Sequence, residues 1–167
     1  MKIANPPFRI WTDAIDDRGF FDPRYTCDVD NSSPELRWEN SPPETAGFAI
    51  ICETIASVTE RAFVHWMVFH IPSEVHHVPA GIPPQDSLPN GIRQGLNGYG
   101  KLGYSGPCPP KDAPPQRYRI RLFALHALME PPIRPDREQL LALIEPYVIQ
   151  SVDIVGLYQR VMIERAG

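Results

Sequence analysis

Two stretches of the chain are almost wholly apolar: Gly47-Phe48-Ala49-Ile50-Ile51-Cys52-Glu53 and Val64-His65-Trp66-Met67-Val68-Phe69-His70-Ile71. Runs of this kind predict central strands covered on both faces, and therefore a sandwich-like arrangement of sheets. The stretch from Arg117 to Leu125 alternates instead. Arg117, Arg119 and Arg121 fall on one face, and Gln116, Tyr118, Ile120 and Leu122 on the other. Period two accounts for the arginine row as a solvated strand face, and it places the Tyr118 ring in the core. Shorter β-prone segments lie at Phe8 to Thr12 and Leu36 to Trp38, with a turn at Asp16-Asp17-Arg18-Gly19. The last third reads as helical. Asp136 with Gln139 three residues on makes a capping-box pattern, and Leu140, Leu141, Ile144 and Val148 recur at helical spacing. Pro146 breaks the run, and a second helix is predicted over about Gln150 to Gln159, with Val152, Val155 and Tyr158 on one side.

Composition narrows the class. A chain of 167 residues fits one domain spanning 1–167 with a substantial core. The 20 prolines cluster at Pro79 to Pro89 and Pro107 to Pro115, which marks stiff connections between elements. The net charge of −4 is scattered, which argues against nucleic acid as a partner. No apolar run is long enough to span a bilayer, so membrane insertion is not expected. Met1-Lys2-Ile3-Ala4-Asn5-Pro6-Pro7 is not a signal peptide, which makes cytoplasmic the default location. Cys27, Cys52 and Cys108 form no C-x-x-C pair, and this odd number reads as reduced thiols; Cys52 belongs to the core. A Cys27–Cys108 disulfide is the minor alternative. His76-His77 lacks further ligands at useful spacing and reads as a loop turn, so no metal and no cofactor are expected. Ser105 has no hydrolase context, and no dinucleotide or Walker glycine pattern opens a helix.

The loop Gly100-Lys101-Leu102-Gly103-Tyr104-Ser105-Gly106-Pro107-Cys108-Pro109-Pro110 carries the candidate chemistry. Glycine lets a backbone approach a ligand and proline then fixes it, so Gly106 and Cys108 N–H groups can face an anion. Together with this loop, Cys27 to Trp38 resembles a C-D-G-D-N-x-S-P-x-L-x-W block. Val64 to Pro72 is similar to H-W-V-V-x-N-I-P, and Gly95 to Gly100 to G-x-N-D-F-G. Gly103 to Pro110 resembles G-Y-x-G-P-C-P-P, and Val155 to Arg160 the ending L-x-G-x-Y-x-R. Five blocks in order resemble the bacterial phosphatidylethanolamine-binding protein family, also called Raf kinase inhibitor-like proteins. The resemblance implies a mainly β, two-sheet fold with short C-terminal helices and an anion pocket at one end. It further implies ligand-binding roles for Glu53, His65, Gly106, Cys108, Pro109, Gln116, Tyr118 and Tyr158.

Two pocket blocks depart from the family. Glu53-Thr54-Ile55-Ala56-Ser57 stands where D-P-D-A-P is usual, and Gln116-Arg117-Tyr118 where H-R-Y is usual. On this alignment one carboxylate, Glu53, and one imidazole, His65, remain to pair. The expected function is binding of a small anionic or phosphorylated ligand, regulatory in the manner of a kinase inhibitor, by a protein more readily read as no enzyme. The alternative is an enzyme using Glu53 and His65 for acid–base chemistry on a small carbonyl substrate. A homodimer is compatible with the resemblance.

Overall fold

A computed structural model describes residues 6–55 and 62–161. The strands are β1 (Arg9–Trp11), β2 (Leu36–Glu39), β3 (Gly47–Ile55), β4 (Phe63–Pro72), β5 (His77–Val78), β6 (Arg93–Gln94), β7 (Gln116–Leu125) and β8 (Val148–Tyr158), with helix α1 (Arg137–Ile144) between β7 and β8. They form a three-stranded sheet, β1-β2-β5, facing a five-stranded sheet, β6-β4-β3-β7-β8.

The apolar run of β3 is continuous because both of its faces are covered. Phe48, Ile50 and Cys52 pack between the sheets with Ile10, Leu36, Trp38, Trp66 and Leu122. Ala49 and Ile51 point the other way, into a second cluster with Met67, Phe69, Phe123 and Leu125 beneath Leu140 and Ile144 of α1. Burial pushes the Cys52 thiol up to about 12, so it is an inert core residue.

The capping box at α1 forms as the sequence predicts. Asp136 Oδ1 accepts from the Gln139 N–H at 2.9 Å, and Gln139 Oε1 accepts from the Asp136 N–H at 2.9 Å. The second predicted helix does not form. After a 3₁₀ turn at Glu145–Tyr147 the chain becomes β8, eleven residues paired antiparallel with β7 from Val148 to Tyr158. Val152, Ile154 and Tyr158 share one face at period two and pack into the inter-sheet core. The β-branched content and the open edge of β7 outweigh the helical spacing of the same apolar residues.

Two further expectations are corrected. Cys27 and Cys108 are joined by a disulfide, with Cα atoms 5.4 Å apart, and Cys52 is the free thiol. Loops distant in sequence meet here, which spacing alone does not reveal. Arg119 and Arg121 are not on a solvated face; their guanidinium groups close on a buried carboxylate. No helix among the described residues is long and apolar enough to cross a membrane.

Candidate functional site

The site is built around a β-bulge. In the β3–β4 ladder Cys52 pairs with Trp66 but Glu53 pairs with Val64, leaving His65 as the extra residue. A bulge re-aims side chains that strict alternation would send to opposite faces. Trp66 stays in the inter-sheet core and Val64 joins the outer cluster. His65 turns to the inner side, where its ring lies edge-on to Tyr118 and Phe63, both at 5.2 Å between centroids.

His65 is 3% exposed, and both of its nitrogens are engaged. Nδ1 lies 2.7 Å from the Ser105 carbonyl oxygen, which can only accept, so Nδ1 carries the proton and donates. Nε2 is then a lone pair, and Thr54 Oγ1 donates to it at 2.6 Å. The Ser105 N–H donates back to the His65 carbonyl at 2.9 Å. Burial lowers the His65 pKa from its ordinary 6.5, and the carbonyl hydrogen bonds of Ser105 and Gly106 only partly oppose this. The imidazole is therefore neutral near pH 7. The unfolded chain takes up a proton at His65 first, so stability should fall as pH drops below about 6.5 and level off below the folded value. Chemical denaturation at pH 7 and pH 5 should show this loss, and His65→Gln should reduce it.

The glycine-proline loop is locked to the segment that follows the 3₁₀ turn at Pro23–Tyr25. Asn31 adopts a φ of 51°, a conformation asparagine tolerates, and its Oδ1 accepts the Gly106 N–H at 2.7 Å. Tyr104 OH donates to the Tyr25 carbonyl at 2.6 Å, and the Cys27 N–H to the Pro107 carbonyl at 3.2 Å. A Cβ on Gly106 would lie 2.1 Å from the Tyr25 oxygen and 2.9 Å from Asn31 Oδ1. Gly106→Ala must therefore separate the loops, and a loss of roughly 1–3 kcal/mol is expected in a thermal melt.

The remaining expected residues divide. Tyr118 is buried beside His65. Gln116, half-buried, stands opposite Tyr158 in the β7–β8 register. Tyr158 donates to Asp28, accepts from Thr26 Oγ1 at 3.2 Å, and lines a cavity of about 440 Å³ with Phe21 and Gln159. Burial and the Asp28 hydrogen bond raise its pKa. Pro109 is buried, whereas Cys108 is exposed and held in the disulfide.

Glu53 does not meet His65. One residue before Thr54 on a period-two strand, it points to the outer face of the sheet. Its side chain is 1% exposed and is held by Arg119 at 2.5 Å, Arg121 at 2.9 Å and Arg137 at 2.7 Å. Burial would raise its pKa, but the Arg137 and Arg119 hydrogen bonds hold it below the ordinary carboxylate value. Thr54, not Glu53, is the β3 residue that reaches the imidazole. Ala56 and Ser57, the end of that block, lie outside the described residues.

Sequence reasoning also missed Asn31, Asp28 and the buried amides Gln94 and Asn97. Gln94 accepts from Trp66 Nε1 at 2.7 Å and donates to the Pro83 carbonyl at 2.8 Å, anchoring the proline-rich segment. Asn97 gathers the Tyr99 N–H at 2.9 Å and the Gly103 carbonyl at 3.1 Å. For three of these four the signal was present, since Asp28, Asn31 and Asn97 lie in matched blocks, whereas Gln94 stands just before the block that begins at Gly95. A separate cavity of about 570 Å³, lined by Val75, Val78, Pro79, Ile82, Leu88 and Ile92 among others, includes none of the expected ligand residues.

Comparison with known proteins bears on this geometry. Residues 11–159 match the family model described as "Phosphatidylethanolamine-binding protein". A UPF0098 protein of Methanothermobacter thermautotrophicus is 37% identical over 149 residues, 89% of this chain and 97% of that protein. One from Aquifex aeolicus is 34% identical over 138 residues, 81% of this chain and 79% of that protein. Among solved structures, Escherichia coli YbcL, described as a new member of the mammalian PEBP family, superposes with a TM-score of 0.82 at 26% identity, covering 91% of this chain and 98% of its own. A phosphatidylethanolamine-binding protein homologue from Chlamydia trachomatis, CT736, gives a TM-score of 0.80 at 27% identity, covering 94% and 99%.

Proposed function

We propose, from the premise that this chain belongs to the phosphatidylethanolamine-binding protein family, that it binds a small polar ligand at the His65 end of the five-stranded sheet. The observation that carries this reading is His65 itself. It is a buried, neutral imidazole between two aromatic rings, bonded on one side to Thr54 and on the other to the glycine-proline loop. Structural burial alone does not call for a bulge that brings a histidine to a loop of this rigidity.

The ligand expected here differs from a phosphate dianion. A neutral imidazole offers no charge, and the Gly106 N–H is already given to Asn31. The His65 nitrogens are likewise committed to Ser105 and Thr54, so a ligand must exchange with these partners, and small carboxylates, amides or carbonyl groups do so beside the aromatic walls of Phe63 and Tyr118 at least as well as phosphate does. A regulatory role toward a protein kinase would rest on surfaces other than this site. The acid–base reading loses its partner, because Glu53 is committed to three arginines on the opposite face.

The cytoplasmic setting is also weakened, because a Cys27–Cys108 bond suits an oxidising compartment. Isothermal titration with phosphorylethanolamine and with acetate tests the binding reading. The two should bind within about tenfold of each other, and His65→Ala should weaken both by roughly tenfold or more, the loss of one or two hydrogen bonds. Strong phosphate selectivity would contradict the inferred ligand class, and binding indifferent to His65→Ala would contradict the site.

A further inference from the structure

The disulfide does more than join two surface loops, because of what lies against it. Cys27 and Cys108 connect the segment bearing Asn31 to the segment bearing Ser105 and Gly106. Cys108 is exposed and Cys27 half-buried. Arg160 sits over the pair, with Nε donating to Asp28 Oδ1 at 2.9 Å and Nη1 lying 3.7 Å from the Cys108 sulfur. Asp28 also accepts from Tyr158, so the carboxylate that aims the guanidinium is itself fixed.

We propose that Cys27–Cys108 is a thiol-exchange latch on the His65 loop: a small dithiol opens it, Cys108 leaves as the thiolate, and the loop loosens while the two sheets stay folded. A cation beside a sulfur stabilises its thiolate, and a better leaving thiolate speeds exchange. Asp28 moderates this charge without cancelling it, since Nη1 lies on the sulfur while Nε holds the carboxylate.

The exchange balances as follows. A thiolate of the dithiol attacks the Cys27 sulfur, and the S–S bond breaks with its electron pair leaving on Cys108. The second thiolate of the dithiol attacks its own sulfur in the mixed disulfide. This forms the oxidised reductant and releases Cys27 as a thiolate. Two electrons pass to the protein; of the two protons lost by the dithiol, one goes to Cys27 and the other to solvent while Cys108 stays ionised against Arg160.

Once the bond is open, the direct ties between the two loops are three hydrogen bonds: Gly106 to Asn31, Tyr104 to Tyr25 and Cys27 to Pro107. Loops held this way open far more readily than a central strand. Ser105 is the residue to which His65 donates, so loosening this loop reaches the imidazole directly. The latch does not depend on which ligand, if any, occupies the site.

Hydrogen exchange on the whole protein before and after dithiothreitol treatment tests it, with thiols trapped by iodoacetamide. The Gly106 amide should exchange about tenfold faster or more after reduction, while the amides of Ile50 and Ile120, less protected because the whole protein is less stable, still exchange far more slowly than Gly106. Unchanged Gly106 exchange, or exchange at Ile50 and Ile120 as fast as at Gly106, would overturn the latch. Brief treatment with the monothiol glutathione should place the mixed disulfide on Cys27, as peptide mass spectrometry reads it; adduct mainly on Cys108 would overturn the assigned direction. Arg160→Gln should slow dithiothreitol reduction several-fold and Arg160→Lys should recover part of the rate, whereas equal rates in all three proteins would remove Arg160 from the mechanism.

Discussion

Glu53→Ala should cost about 3 kcal/mol of folding stability, the low end of the ~3–5 kcal/mol seen when one member of a buried charge cluster is deleted. The carboxylate is 1% exposed, and Arg119, Arg121 and Arg137 are 28%, 24% and 26% exposed. Deleting Glu53 leaves three cations facing one another with only the exposed Glu138, 3.4 Å from Arg137, as a counter-charge among the described residues, and about a quarter of each guanidinium in water softens the penalty. The Nε atoms of Arg119 and Arg121 are already buried without partners, so these side chains have little room to find new ones. Arg137 is the first residue of α1, which means the cluster also ties the helix to the sheet. Urea denaturation should show a lower midpoint with little change in slope. Glu53→Gln keeps the volume and an acceptor, and should cost less. A loss under 1 kcal/mol for Glu53→Ala would show the cluster to be solvated in practice.

The same cluster has a pH signature. Glu53 has a folded-state pKa below its ordinary 4.5, the arginine hydrogen bonds having overcome the burial that would raise it. A depressed carboxyl contributes stability above the unfolded value and loses it as pH falls through the folded value. Acid unfolding should therefore steepen below about pH 4.5, and that acid limb should shrink in Glu53→Gln.

The sheets were legible in the sequence because their signals are local. Continuous apolar runs gave β3 and β4, alternation gave β7, and Asp136 with Gln139 gave the start of α1. β8 was not, because Val152, Val155 and Tyr158 fall at helical spacing while Val152, Ile154 and Tyr158 fall at strand spacing, and only the partner β7 decides between them. The candidate site was half legible. His65 and Gly106 do converge through Ser105. The pairing of His65 with Glu53 failed on parity: position 53 lies one residue off the inner face, and the bulge that turns His65 inward leaves no mark in the apolar pattern. The arginine row was readable as a face, but not the closure of Arg119 and Arg121, each half-buried, on Glu53, since that counter-charge comes from another strand.

The disulfide was the other long-range fact that spacing could not supply, and its removal is the second large effect expected. Cys27 and Cys108 are separated by 81 residues, so opening the bond returns a long loop's worth of freedom to the unfolded chain, about 4 kcal/mol in the chain-entropy account. Cys27→Ser/Cys108→Ser should lower the melting temperature by roughly 10 °C, at about 2–4 °C per kcal/mol for a chain of this size. Because the energy resides mainly in the unfolded state, the native sheets should persist below the new midpoint. The single variants Cys27→Ser and Cys108→Ser should lose as much as the double one, since either breaks the same bond. Were the double variant to melt within about 2 °C of the parent protein, the unfolded chain would have to hold these two loops together without the bond.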